Sequence, residues 1–168
     1  YGWILNNAFS TLAIDNSYLW PVSLVTNLNT MNTYCSIQAA VNAASANDVL
    51  EVSEGISNER VTINKSLTLQ GVGESQCIVY GAGLSGNGKG IAINNGITDV
   101  TIKKLTVQNF AGTNGNTDAG IYAIGGNNNL TVENVTLQNN VGGSGFYANG
   151  PVDDVTLDSV TSSGHTVG

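Results

Sequence analysis

The chain has 168 residues and a formal net charge of −7, from 12 acidic and 5 basic residues. Nucleic-acid binding needs clustered Lys and Arg to displace counterions from phosphates, and only Lys103 and Lys104 are adjacent here, so nucleic acid and anionic membrane surfaces are excluded as partners. No apolar run reaches the length of a transmembrane helix, so no membrane insertion is expected.

What remains is 21 Gly and 23 Asn among many Thr, Val and Ile. Gly and Asn supply tight turns and left-handed backbone, while β-branched residues favour strands, so the composition predicts many short strands. The first residue is Tyr1, with no Met and no basic region followed by an apolar run, as in a processed chain or an excised piece. Residues 1–33 scatter Trp3, Ile4, Leu5, Phe9, Trp20 and Leu24 among Asn and Ser, and read as a lead segment packing on, or preceding, a cap formed by the residues after it. Two short strands are expected there, around 10–14 and 22–26. Next comes SIQAAVNAASAND, with Ile37, Ala40, Val41 and Ala44 on one helical face. A helix over about 36–45 is expected, started by Ser36 or Thr33.

The rest of the chain is organised by a repeat. VTIKKLTVQN (100–109), LTVENVTLQN (130–139) and VTLDSVTSSG (155–164) align without gaps, at offsets of 30 and 25 residues. GIAIN (90–94), GIYAI (120–124) and GFYAN (145–149) keep the same offsets. Each unit holds three alternating strands, and strands recurring at such a period stack in parallel as turns of a solenoid. Lys103 and Lys104 are then a corner between two faces rather than a hairpin. Inward columns are expected along Leu67–Val100–Leu130–Val155, Cys77–Leu105–Val135–Val160 and Ile91–Ile121–Phe146. Residues 66–71 and 76–81 take the first and second strand positions one turn earlier. Residues 48–52 and 60–63 are read as second and third strands of a partial first turn. The expectation is an all-β, right-handed, three-faced parallel β-helix over 34–168, of about four turns, with an N-terminal capping helix.

The runs SIQAAVNAASANDVLEVSEG, ERVTINKSLTLQGVG and GIAINNGITDVTIKKLTVQN resemble the opening of right-handed parallel β-helix domains of the pectate-lyase-like superfamily. The form YCSIQAAV is similar to that in repeat-rich surface proteins of Bacteroidota. That resemblance implies a secreted or cell-surface protein, cargo of a bacterial outer-membrane (type IX) secretion system. The fold hosts enzymes, adhesins and stalks alike, so it does not fix activity.

Superfamily enzymes hold Ca²⁺ on clustered carboxylates or use paired Asp with Arg and Gln. The one column able to hold Ca²⁺ is Asp99, Asn129 and Asp154, with Asp153 beside it. The plainer reading is turn-forming Asp and Asn bonded to local backbone. Arg60 is the only Arg, with no Asp pair in register, and His165 lacks a nucleophile motif, so no catalytic residue and no cofactor are assigned. Tyr122 and Tyr147 form an outward pair that could stack on a sugar ring of an extracellular glycan, or simply on each other. Thr68, Thr101, Thr131 and Thr156, with Thr106, Thr136 and Thr161, form outward columns that suggest ice binding but fit ordinary strand propensity better. Cys35 and Cys77 read as two buried thiols rather than a bridge.

Three functions are expected, in this order: a non-catalytic structural or adhesive segment of a larger protein, a polysaccharide lyase- or esterase-like enzyme with its site on other turns, and a carbohydrate- or ice-binding module. At the C-terminal end no helix, charged run or Pro covers Val155, Leu157 and Val160. A solenoid exposes apolar side chains and strand edges at an uncapped end. The β-helix is therefore expected to continue beyond 168, or a protein partner to occupy that end.

Overall fold

The computed structural model describes residues 23–112 and 118–166. Strands β1 (Val25–Asn27) and β2 (Thr33–Tyr34) precede helix α1 (Ile37–Ala43). Beyond the helix the chain winds into four turns of a parallel β-solenoid. They are β3 (Asp48–Val52), β4 (Gly55–Ser57) and β5 (Val61–Ile63), then β6 (Leu67–Gly71), β7 (Cys77–Tyr80) and β8 (Lys89–Ile93). The third turn is β9 (Thr98–Gln108) with β10 (Ala119–Ile124), and the fourth is β11 (Asn128–Gln138) with β12 (Ser144–Asn149). Strand β13 (Asp153–Ser163) begins a fifth.

The three inward columns lie in the expected register. Leu67, Val100, Leu130 and Val155 align, as do Leu105, Val135 and Val160, and Ile91, Ile121 and Phe146. Leu105 and Val135 are fully buried. Alternation places every second side chain inside the coil, where each Leu, Ile or Val contributes about 1.5–3 kcal/mol by leaving water.

Strands β9, β11 and β13 each cover two faces, because a left-handed residue bends them in the middle: Lys104, Asn134 and Ser159, with φ of 57°, 52° and 53°. Two further left-handed columns flank them, Asp99–Asn129–Asp154 before and Asn109–Asn139–Gly164 after. One such residue every five positions makes the corners. Asn, Asp and Gly tolerate this backbone best, which accounts for much of the Asn in the repeats.

The first turn corrects the sequence reading. Residues 48–52 pair with 67–71 and so occupy the first face, not the second. The second strand of that turn is Gly55–Ser57, paired with β7, and 61–63 is the third strand as expected. The first two strands of that turn pair across shorter intervals than the later 25 and 30 residues, while Val61 pairs with Ile91 at the interval of 30. The strand expected at 22–26 is present as 25–27, and the one at 10–14 lies outside the described residues.

Helix α1 buries Ile37, Ala40 and Val41. The Ser36 side chain caps it by accepting from the Ala39 N–H. The Glu59 carboxylate accepts from the N–H groups of Ile37 and Gln38 at 2.7 and 2.9 Å. At the other end the Lys65 ammonium donates to the Ala44 carbonyl at 2.7 Å. An anion at the N-terminus and a cation at the C-terminus both suit the helix dipole.

Candidate functional site

The third corner of each turn is built alike. Phe110, Asn140 and His165 point into space left by Gly90, Gly120 and Gly145: a Cβ on Gly90 would meet Phe110, one on Gly120 Asn140, and one on Gly145 His165. The Asn140 side chain accepts from the Phe110 N–H at 3.1 Å. His165 Nδ1 accepts from the Asn140 N–H at 3.3 Å. His165 thus repeats, one turn up, what Asn140 does below. Asp118 and Asn127 do the same at other corners, accepting from the N–H groups of Gly88 and Ile97. Each satisfies a backbone donor where the sheet ladder is interrupted.

His165, which lacks a nucleophile motif in the sequence, thus has a backbone partner in the fold. Its Nε2 also lies 2.9 Å from Ser162 Oγ. With Nδ1 accepting, the neutral ring carries its proton on Nε2 and donates to Ser162. A general base for Ser162 would need that nitrogen unprotonated. Arg60 is likewise engaged structurally, donating to the carbonyls of Ser85 and Leu84.

Asp99 and Asn129 come together at the first corner. Asn129 Nδ2 donates to Asp99 Oδ1 at 2.7 Å, and Thr98 donates to Oδ2 at 2.9 Å. The Asn129 hydrogen bond, then that of Thr98, holds the Asp99 carboxyl below its ordinary value of 3.8, slight desolvation opposing them. Asp154 occupies the same left-handed position one turn higher. Asn129 presents its donor to Asp99, as a turn-forming amide does, rather than a ligand oxygen. Among the described residues no group of three or more His, Cys, Asp or Glu gathers to hold a metal ion.

Tyr122 and Tyr147 stack, with centroids 5.8 Å apart and planes at 18°. The outward position of Tyr122 does not make it accessible: it is 3% exposed. Lys89, from the turn below, places its ammonium 3.7 Å from the ring centroid, and Asn149 donates to the phenol oxygen at 2.8 Å. Tyr147, half-buried, is the only member of the pair with surface to offer a ligand.

One feature escaped the sequence reading. The segment 72–76 separates β6 from β7, where later turns bend at one corner residue, and it reaches across the second face. Thr106 donates to the Glu74 carbonyl at 2.8 Å and Thr136 to its carboxylate. Gln138 donates to Gln108 alongside. Together with Ser75 and Ile78 these residues line a groove of about 460 Å³. The longer gap between LTLQG and CIVY was the available signal. Because Thr106 and Thr136 are tied to Glu74, that Thr column is no open grid. Cys77 is buried but Cys35 is exposed, so the expectation of two buried thiols holds for one; both are free.

The architecture defines a class by its fold: a parallel β-helix entered through a helix-capped first turn. No protein-family model and no curated protein matches the chain. Among solved structures it is similar to a mutant pectin methylesterase in complex with a hexasaccharide, at 18% identity and a TM-score of 0.56, over 79% of this chain and 46% of that one. It is also similar to a pectin methylesterase in complex with another hexasaccharide, at 19% identity and a TM-score of 0.54, over 72% of this chain and 43% of that one. The chain spans less than half the length of these enzymes. The likeness is one of fold.

Proposed function

We propose that the chain is a non-catalytic structural or adhesive β-helix segment of a larger secreted or cell-surface protein, exported in the manner of type IX cargo. The observation that carries this is the surface at the C-terminal turn. Leu69, Ile102 and Val132 are buried in one inward column, while Leu157 above them is 49% exposed. Phe146, Leu157 and Val160 line a hollow of about 670 Å³ there. Strand β13 is the edge of its sheet among the described residues. A further turn of the same chain, or a protein partner, would bury these side chains and pair that edge. The polar repeats, low in Lys, suit an extracellular setting. The side chains best placed for chemistry, His165, Arg60 and Asp99, hold backbone or corner residues.

The intact mass and termini of the natural protein, with protease shaving of whole cells, test the reading. A mass well above 17.3 kDa on a shaved or secreted protein is expected. A mature monomer ending at Gly168 inside the cell would overturn it.

The second reading is a polysaccharide-acting enzyme whose site lies on other turns. It is favoured by the likeness to pectin methylesterases in complex with hexasaccharides, of which this chain spans less than half. In the natural protein, methanol or uronate release from pectin would support it over the first. A third reading, a carbohydrate- or ice-binding module, retains Tyr147 but not the buried Tyr122 as a ring for a ligand, and a blank glycan array would dismiss its carbohydrate form.

A further inference from the structure

Between Gly71 and Cys77 the chain inserts residues 72–76 at a corner that the next two turns make with one residue, Lys104 and Asn134. Ordering the extra residues costs backbone entropy, and the coil closes without them one turn later. A surface segment that the scaffold does not need is where binding groups are commonly carried. This one is tied to the second face through Thr106 and Thr136, which donate to the Glu74 carbonyl and carboxylate. Among the described residues the other carboxylate oxygen of Glu74 has no donor. It stands beside a column of Tyr80, Gln108 and Gln138, in register on β7, β9 and β11. Gln138 donates to Gln108. A ladder of two amides leaves a donor at one end and an acceptor at the other, whichever way the amides are turned. Ser75 adds an exposed hydroxyl, Ile78 an apolar floor, and Tyr80 a half-buried ring beneath Gln108. Among the described residues no Lys, Arg or His lines the groove.

We propose that this groove on the second face binds a neutral, hydroxyl-rich saccharide and rejects a uronate. A sugar hydroxyl donates one hydrogen bond and accepts another, so it needs acceptor and donor side by side. Glu74 supplies the first and the amide ladder the second. The C–H face of the ring suits Ile78 and Tyr80. The volume of about 460 Å³ is that of a small-molecule site. One fixed negative charge with no cation beside it disfavours a sugar that carries its own carboxylate. The proposal rests on the carbohydrate form of the third reading and moves the contact from Tyr147 to Glu74, Gln108 and Gln138. The groove spans the second to fourth turns, so it does not depend on what covers the last one.

Calorimetric titration of the full chain with cellohexaose, mannohexaose and hexagalacturonate tests this. At least one of the two neutral sugars should bind, and hexagalacturonate should not. Glu74→Gln keeps an acceptor for Thr136 and removes the charge. It should weaken the neutral sugar about tenfold and narrow its advantage over hexagalacturonate. Gln138→Ala leaves residues 72–76 in place and should weaken the neutral sugar as well, while Tyr147→Ala should not. Tm of each variant reports whether the fold is kept. If Glu74→Gln lowers Tm but leaves affinity and preference untouched, Glu74 is structural alone and the proposal is wrong. Hexagalacturonate bound as tightly as the neutral sugars would overturn the charge selection. If a neutral sugar binds and is lost in Tyr147→Ala but not in Glu74→Gln or Gln138→Ala, the carbohydrate reading stands and this groove is not its site. If neither neutral sugar binds, both fall.

Discussion

The first and last described turns of the solenoid differ in how they are covered. At the N-terminal end, β1 adds an antiparallel strand to β3, matching Val25 with Val52 and Asn27 with Leu50. On the third face, the Gln38 amide accepts from the Thr62 N–H at 2.6 Å and donates to its carbonyl at 3.3 Å, as a neighbouring strand would. Helix α1 covers the apolar cross-section. At the C-terminal end the strands are as long and as regular, but the last layer is half exposed. The closing elements are non-repeating, and at the first turn they consist of a short helix, a hairpin and a few long polar side chains.

The sharpest way to break this contrast is to truncate the same column at two heights. Ile102→Ala should cost about 2–5 kcal/mol, since Ile102 is fully enclosed. Leu157→Ala should cost less than about 1 kcal/mol, since its side chain already meets solvent. Urea denaturation of both variants measures the difference. Equal losses would mean that the last turn is as well packed as the third.

A second pair sharpens the comparison through polar groups. Asn140→Ala removes the acceptor for the buried Phe110 N–H and should cost about 1–3 kcal/mol. His165→Ala removes the equivalent acceptor at a rung close to solvent, where water can replace it, and should cost clearly less. If the two substitutions cost the same, His165 is doing more than filling a corner. At the closed end, Ser36→Ala should cost about 1 kcal/mol through the lost cap. A change below a few tenths would show that Glu59 alone is enough to hold the helix start.

The repeat made the columns legible from the residues alone. Strict alternation at fixed offsets leaves one register in which Leu105, Val135 and Val160 share a face. The helix was legible because Ile37, Ala40, Val41 and Ala44 carry a helical period and Ser36 a capping hydroxyl. The first turn was not, because its first two strands pair across shorter intervals than those of the repeat. Nor was the role of His165. Phe110, Asn140 and His165 share a column yet have no chemistry in common, and only the backbone N–H that Asn140 and His165 each accept relates them. The Glu74 groove was hidden for a similar reason, since its contacts join one irregular segment to three strands. Tyr122 was placed on the correct face, but its burial depends on Lys89 and Asn149, which lie outside its column.

The smallest expected effect concerns the corner column that could be mistaken for a metal site. Hydrogen bonds from Asn129 and Thr98 favour the charged form of Asp99 and hold its folded pKa below the ordinary 3.8. A depressed folded pKa stabilises the protein above the unfolded value. That contribution is complete at neutral pH and is lost as pH falls from about 4 through the folded value. Carboxyl NMR titration should therefore find Asp99 titrating below its ordinary value, and Asn129→Ala should move it back up. Because Asp99 is exposed, the accompanying change in stability should be slight and confined to acid. The same variant separates the two readings of the column. If Asp99, Asn129 and Asp154 are corner residues, millimolar Ca²⁺ should leave Tm unchanged with or without Asn129. A rise of several degrees in the parent that disappears in Asn129→Ala would instead mean that the amide oxygen turns toward a bound ion, with Asp99 and Asp154 as its other ligands.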